Sequence, residues 1–75
     1  MNNRDYYLLC VMEMTPRFRT GEPFNREDLS HHSDVDKSDT NKSLKVLAEN
    51  KVVKLISKNP NLYSFDLEIL EKWKK

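Results

Sequence analysis

The decapeptide HHSDVDKSDT, residues 31–40, sets two adjacent imidazoles beside three carboxylates, a composition able to ligate a metal. Each metal chemistry makes a demand on spacing. A calcium loop built on Asp34, Asp36 and Ser38 needs glycine at the next position, where Asp39 stands, and a bidentate glutamate at its twelfth, where Lys45 stands. His31 and His32 would point about 100° apart on a helix and would need a third ligand from elsewhere. Neither demand is met, and the sequence predicts no metal. The same aspartates satisfy a different requirement. With Asp36 as N-cap, Asp39 is the third helical residue, both carboxylates face unpaired backbone N–H groups at the positive end of a helix, and Val35 takes the staple position. Cys10 lies in an apolar run and reads as core rather than nucleophile, since no spacing of Cys, His and acid suggests activation.

The chain of 75 residues allows one domain, 1–75, with a small core, because a chain of this length buries only about 60% of its unfolded surface. A deep catalytic cleft does not fit this size, and neither an enzyme nor a cofactor is expected. A lone cysteine excludes an internal disulfide, and no leader or long apolar run is visible, so the expectation is a soluble cytoplasmic protein with no membrane association.

The elements follow from caps and periodicity. A first helix, with Asn3 as its N-cap, carries an apolar run from Tyr6 to Met12 and stops at Pro16. The segment TPRFRTGEPF holds the only glycine and two of the three prolines, and reads as a loop with a short extended piece at Glu22–Phe24. A second helix starts at Asn25, with Asp28 placed for a capping box and Phe24 and Leu29 for a staple. A third runs from Lys37 to Glu49, burying Thr40, Leu44, Leu47 and Ala48 and leaving Lys37, Asn41, Lys42 and Lys45 off that face. Period-2 character in KVVKLIS and LYSF, joined by KNPN, predicts a β-hairpin. Asp66 then caps a short last helix with Leu67, Leu70 and Trp73 in one stripe and the pairs Glu68–Lys72 and Glu71–Lys75 at i,i+4.

Net charge is +1, but it is unevenly spread. Residues 1–36 carry four arginines against seven acids, and residues 37–75 carry nine lysines against five acids. The second half is therefore the one suited to an anionic partner.

Helix, helix, helix, hairpin and helix in this order is an α+β arrangement. Within it the segment VDKSDTNKSLKVLAENKVVKLI resembles the recognition-helix region of winged helix-turn-helix proteins, including the antibiotic-resistance and arsenic-type repressors. The resemblance rests on Val35 opening the turn, the small polar cluster after it, Thr40, Leu44 and Leu47 along the helix, and the Val-Val leading into a wing. It implies a three-helix core, a helix-turn-helix over about 25–49, a two-stranded wing over about 52–65 and a short C-terminal helix. Such families usually place glycine before the strand; here Asn50-Lys51 stands there, with Asn50 able to take the left-handed conformation.

What the resemblance implies for function is double-stranded DNA binding by a small transcriptional regulator. The third helix would enter the major groove, and the wing would ride on the backbone or minor groove. Carried over by position, Lys37, Ser38, Asn41, Lys42 and Lys45 would face the duplex, with Lys58 and Asn59 at the wing tip. Residues 37–58 hold six lysines and two acids, which suits a phosphate footprint. Asn41 suits adenine N6 and N7, and Asp39 suits cytosine N4 if it is not engaged as a cap. A protein-interaction module without DNA binding is the alternative, since the three aspartates would repel a phosphate and fold does not dictate function. Surplus apolar surface on the first helix and the C-terminal helix predicts a homodimer through those two elements, which would double the phosphate contacts and read a palindrome.

Overall fold

The computed structural model describes the backbone of residues 1–74 and the side chains of residues 1–69, 71 and 72. Helix α1 (Asn3–Met14) is capped by Asn2, one residue earlier than the sequence predicts. The Asn2 side chain accepts from the Asp5 N–H at 2.9 Å, and Asp5 Oδ2 accepts from the Asn2 N–H at 3.0 Å. Asn2 wins because the residue three positions on is an aspartate able to return the bond; from Asn3 that residue is Tyr6. The helix buries Asp5, Leu8, Leu9 and Met12 and leaves Cys10 exposed, so the expected core cysteine is a surface residue. Leu8, Leu9 and Met12 already fill the inward face, and position 10 falls outside that stripe.

Pro16 ends α1 and also begins a one-turn helix, α2 (Pro16–Arg19), inside the stretch read from sequence as loop. Thr15 before it is extended, as a pre-proline residue must be, and proline at the first helical position carries a φ already suited to the turn. The turn drives Phe18 into the core, edge-on to Phe24 with centroids 4.9 Å apart. Gly21, at φ +79°, reverses the chain, and its carbonyl accepts from Ser64 Oγ at 2.7 Å. Phe24 then forms an antiparallel bridge with Tyr63, each N–H donating to the other's carbonyl at 2.8 Å. This is the extended piece expected near Glu22–Phe24.

Helix α3 (Arg26–Ser33) has the predicted capping box between Asn25 and Asp28, with Phe24 and Leu29 both buried at the staple positions. Asp34 leaves it in the left-handed conformation, φ 60°, and Asp36 caps α4 (Lys37–Glu49) by accepting from the Asp39 N–H at 2.9 Å. Val35 closes the turn between them, its carbonyl accepting from the hydroxyls of Ser30 and Thr40. On α4, Thr40, Leu44 and Leu47 are buried as predicted, with Ala48 packed at the edge of the core. Ser43 joins them because Arg4 Nε, from α1, donates to its hydroxyl at 2.8 Å. Helices α1, α3 and α4 pack on one another.

The end of α4 corrects one expected detail. Asn50 has an ordinary φ of −87°, and the left-handed residue is Lys51, φ 63°. The Lys51 N–H donates to the Ala48 carbonyl and the Val52 N–H to that of Leu47, each at 3.0 Å, which is a Schellman closure with lysine where glycine is usual. Val52 and Val53 plunge into the core and open the hairpin of β1 (Val53–Ser57) and β2 (Leu62–Phe65). Val53 faces Phe65 and Leu55 faces Tyr63; the register then slips between Leu55 and Ser57, leaving Ile56 unpaired in a bulge. Strand β2 lies between β1 and Phe24, so β1 is the free edge. Helix α5 (Leu67–Lys74) follows, with Asp66 Oδ1 accepting from the Ile69 N–H and Leu67 packed on the core. Leu70, Trp73 and Lys75, which figure in the predicted stripe and ion pairs, lie outside the described side chains. The result is an α+β domain of winged-helix-like architecture: a helical core, an antiparallel hairpin and a short closing helix.

Candidate nucleic-acid interface

At about 100° per residue, the buried side chains of α4 occupy one arc and leave an outward arc opposite. Ser38, Lys42 and Lys45 are exposed on that outward arc, whereas Lys37, exposed as the first residue of the helix, projects on the buried side between Leu44 and Ala48. Ser38 and Lys45 fall near its middle, and Lys42 towards the flank on which Asp39 and Ser43 meet α1. Asn41 falls on the other flank and is half-buried, next to the hairpin turn. Four of the five positions expected from sequence, Ser38, Asn41, Lys42 and Lys45, therefore share one side of the helix, with the lysines in solvent and the amide sheltered; Lys37 stands off that side at the helix start.

The three aspartates have separate structural duties. Asp34 takes the left-handed position that ends α3. Asp36 is committed as a cap: the backbone N–H of Asp39 holds its carboxyl below the ordinary aspartate range, with the Ser38 N–H and the Lys42 charge acting the same way. Asp39 does not complete a reciprocal box with Asp36; Arg4 Nη1 reaches its carboxylate at 3.4 Å. A single arginine thus satisfies the buried Ser43 hydroxyl and offsets the one acidic charge in the first turn of α4. The same geometry sets Asp39 against the role of free acceptor for cytosine. Arg4 carried no sequence signal, because its partners stand 35 and 39 positions away.

In the hairpin, Lys58 is exposed after β1, and Asn59 sits in the turn with φ 57° ahead of a cis peptide to Pro60. Asn59 and Asn61 share a cleft of about 300 Å³ with Asn41 of α4 and with Asn25, Arg26 and Glu27 at the start of α3. Two of the expected contact residues, Asn41 and Asn59, are thereby brought to one site, while Lys58 stands outside its lining. Arg26 is the residue that sequence reading missed. It belongs to the net-acidic half of the chain, and its signal was local: the first helical position after the Asn25 cap, where a side chain projects past the helix end.

The histidines have structural contacts. His32 packs edge-on to Phe18 with centroids 5.2 Å apart, and its Nδ1 lies 2.8 Å from the Asp28 carbonyl. Among the described residues no group of three or more His, Cys, Asp or Glu side chains converges as a metal site would require. No described helix is long and apolar enough to cross a membrane. Comparison with protein-family models, with curated proteins and with solved structures finds no match to the chain.

Proposed function

We propose that this chain is a winged helix-turn-helix protein that binds double-stranded DNA sequence-specifically, as a small transcriptional regulator. In this reading α4 lies in the major groove and the hairpin rides on the backbone or in the flanking minor groove. The observation that carries the reading is the continuity of the surface: Ser38, Asn41, Lys42 and Lys45 occupy one side of α4, and Asn41 shares a cleft with Asn59 of the hairpin turn. The acid in the first turn of that helix, Asp39, is offset by Arg4 and so does not oppose an approaching phosphate with full charge. The lysines meet phosphates as point charges, and Asn41 reads a base edge through its amide. Selection from random-sequence duplexes, followed by affinity measurement on the recovered site, tests the proposal.

The active unit in this reading is a homodimer. Tyr6, Tyr7, Cys10 and Met14 recur at helical spacing on the exposed side of α1, and Met14 is 81% exposed. A second copy packed there would remove this apolar stripe from water and place two recognition helices on one duplex. The expected contribution of α5 to that interface rests on Leu70 and Trp73, outside the described side chains.

A second reading, a protein-interaction module, is favoured by one specific feature. Leu55 and Ile56 are 43% and 53% exposed on β1, the free edge of the sheet, where an extended peptide could add as a further strand.

A further inference from the structure

The cleft between α4 and the hairpin turn has a definite place on a duplex if the DNA-binding reading holds, and the inference rests on that reading. A helix in the major groove and a turn in the adjoining minor groove are separated by one sugar–phosphate strand. That strand must pass between Asn41 on α4 and Asn59–Asn61 in the turn, which is where the cleft opens. Its lining suits the passage: neutral amides donate to phosphate and sugar oxygens, and Arg26 offers the fork that matches a phosphodiester.

In the free protein that fork is already engaged. Arg26 Nε lies 3.4 Å from Glu27 Oε1, with both side chains about half-exposed, and Glu27 lines the same cleft. We propose that Arg26 grips a backbone phosphodiester in this cleft, and that Glu27 is the chain's own carboxylate competing with the phosphate for the guanidinium. Glu27 thereby holds DNA affinity below what the surface would otherwise reach. A solvent-exposed pair of this kind is weak enough to exchange for a phosphate, which is what an internal competitor requires. The Glu27 carboxyl also accepts a hydrogen bond from its own backbone N–H, which together with Arg26 keeps it below the usual glutamate range and fully charged at neutral pH. Neither side chain takes part in the α3 capping box, which belongs to Asn25 and Asp28, so both can be replaced without removing the cap.

The test is a double-mutant cycle on one fixed duplex, read by fluorescence anisotropy across a salt series, with Arg26→Ala, Glu27→Gln and the pair. Arg26→Ala is expected to weaken binding and to flatten the log–log salt slope by about one per protomer. Glu27→Gln is expected to tighten binding about two- to fivefold, the scale of an exposed ion pair. In the Arg26→Ala background that gain is expected to shrink towards none. Equal tightening in both backgrounds would overturn the competition, leaving Glu27 as a general repulsive charge. Unchanged binding by Arg26→Ala and Glu27→Gln, in a protein that Lys45→Ala does weaken, would overturn the inference and leave the DNA-binding reading standing. A wild type that binds no duplex would overturn both.

Discussion

Lysine at position 51 occupies a backbone conformation that glycine takes without cost. Its φ of 63° places it in the left-handed region, where an L side chain costs roughly 1–2 kcal/mol. Glycine there removes this strain, but gives back roughly 0.5–1 kcal/mol through the greater freedom of the unfolded chain. The net expectation for Lys51→Gly is a gain of about 0.5–1 kcal/mol, since the exposed lysine leaves no buried gap and both closing hydrogen bonds use backbone atoms. For a domain of this size that raises the melting temperature by about 2–8 °C. Asn50→Gly is the control. Asn50 has φ −87°, so glycine relieves nothing there, and the bond from Asn50 Nδ2 to the Val46 carbonyl at 2.9 Å is lost. Its expected effect is a loss of about 0.5–1.5 kcal/mol. Thermal and urea unfolding at one fixed protomer concentration measure both, with the urea m-value unchanged. A rise with Asn50→Gly and none with Lys51→Gly would move the left-handed residue, and with it the helix–hairpin junction, back to Asn50.

Arg4→Ala strands the fully buried Ser43 hydroxyl and frees the Asp39 carboxylate, so it should cost about 1–3 kcal/mol in unfolding and also weaken DNA binding. Adding Asp39→Asn should recover binding more than stability, a split read by anisotropy and urea titration on the same samples. Tyr7→Phe removes the bond from the Tyr7 hydroxyl to the Ser33 carbonyl at 2.9 Å and should lower stability by about 0.5–1.5 kcal/mol in the same titration. Asp36 has a depressed carboxyl pKa in the folded state, so the stability it contributes is fully present above its unfolded pKa and is lost as pH falls through the lowered folded value. Asp36→Asn keeps a capping oxygen and should flatten that acid limb in pH-dependent unfolding. Met14→Glu places a charge in the exposed stripe of α1 and should convert dimer to monomer in sedimentation, with the helical circular dichroism retained.

Where the fold is legible in the sequence, the signal is local. Asn25 with Asp28, and Asp36 ahead of Asp39, announce helix starts because cap and partner stand three residues apart. The hairpin was legible because β-branched and aromatic runs flank Asn and Pro. The one-turn helix at Pro16–Arg19 was not, since four residues carry no period and the element exists because Phe18 finds a pocket beside Phe24. Periodicity alone puts Cys10 in the core because the run from Tyr6 to Met12 is apolar on several sides, and only packing decides which side faces in. The outward lysines of α4 followed from periodicity, whereas the Arg4–Asp39–Ser43 link and the approach of the hairpin turn to Asn41 depend on chain crossings that no spacing encodes.

In the proposed reading the α4 face and the hairpin bind duplex DNA. The deciding measurement is the affinity for a selected duplex as a function of salt, for the wild type and for Lys42→Ala, Lys45→Ala and Asn41→Ala. A linear fall of log affinity with log salt is expected for the wild type, with a slope flatter by about one per lost lysine in each protomer. Asn41→Ala should keep the slope and lose about 1–3 kcal/mol on the preferred site alone. Absence of salt-dependent binding by the wild type, or three variants indistinguishable from it on every duplex, would rule out duplex binding by this face.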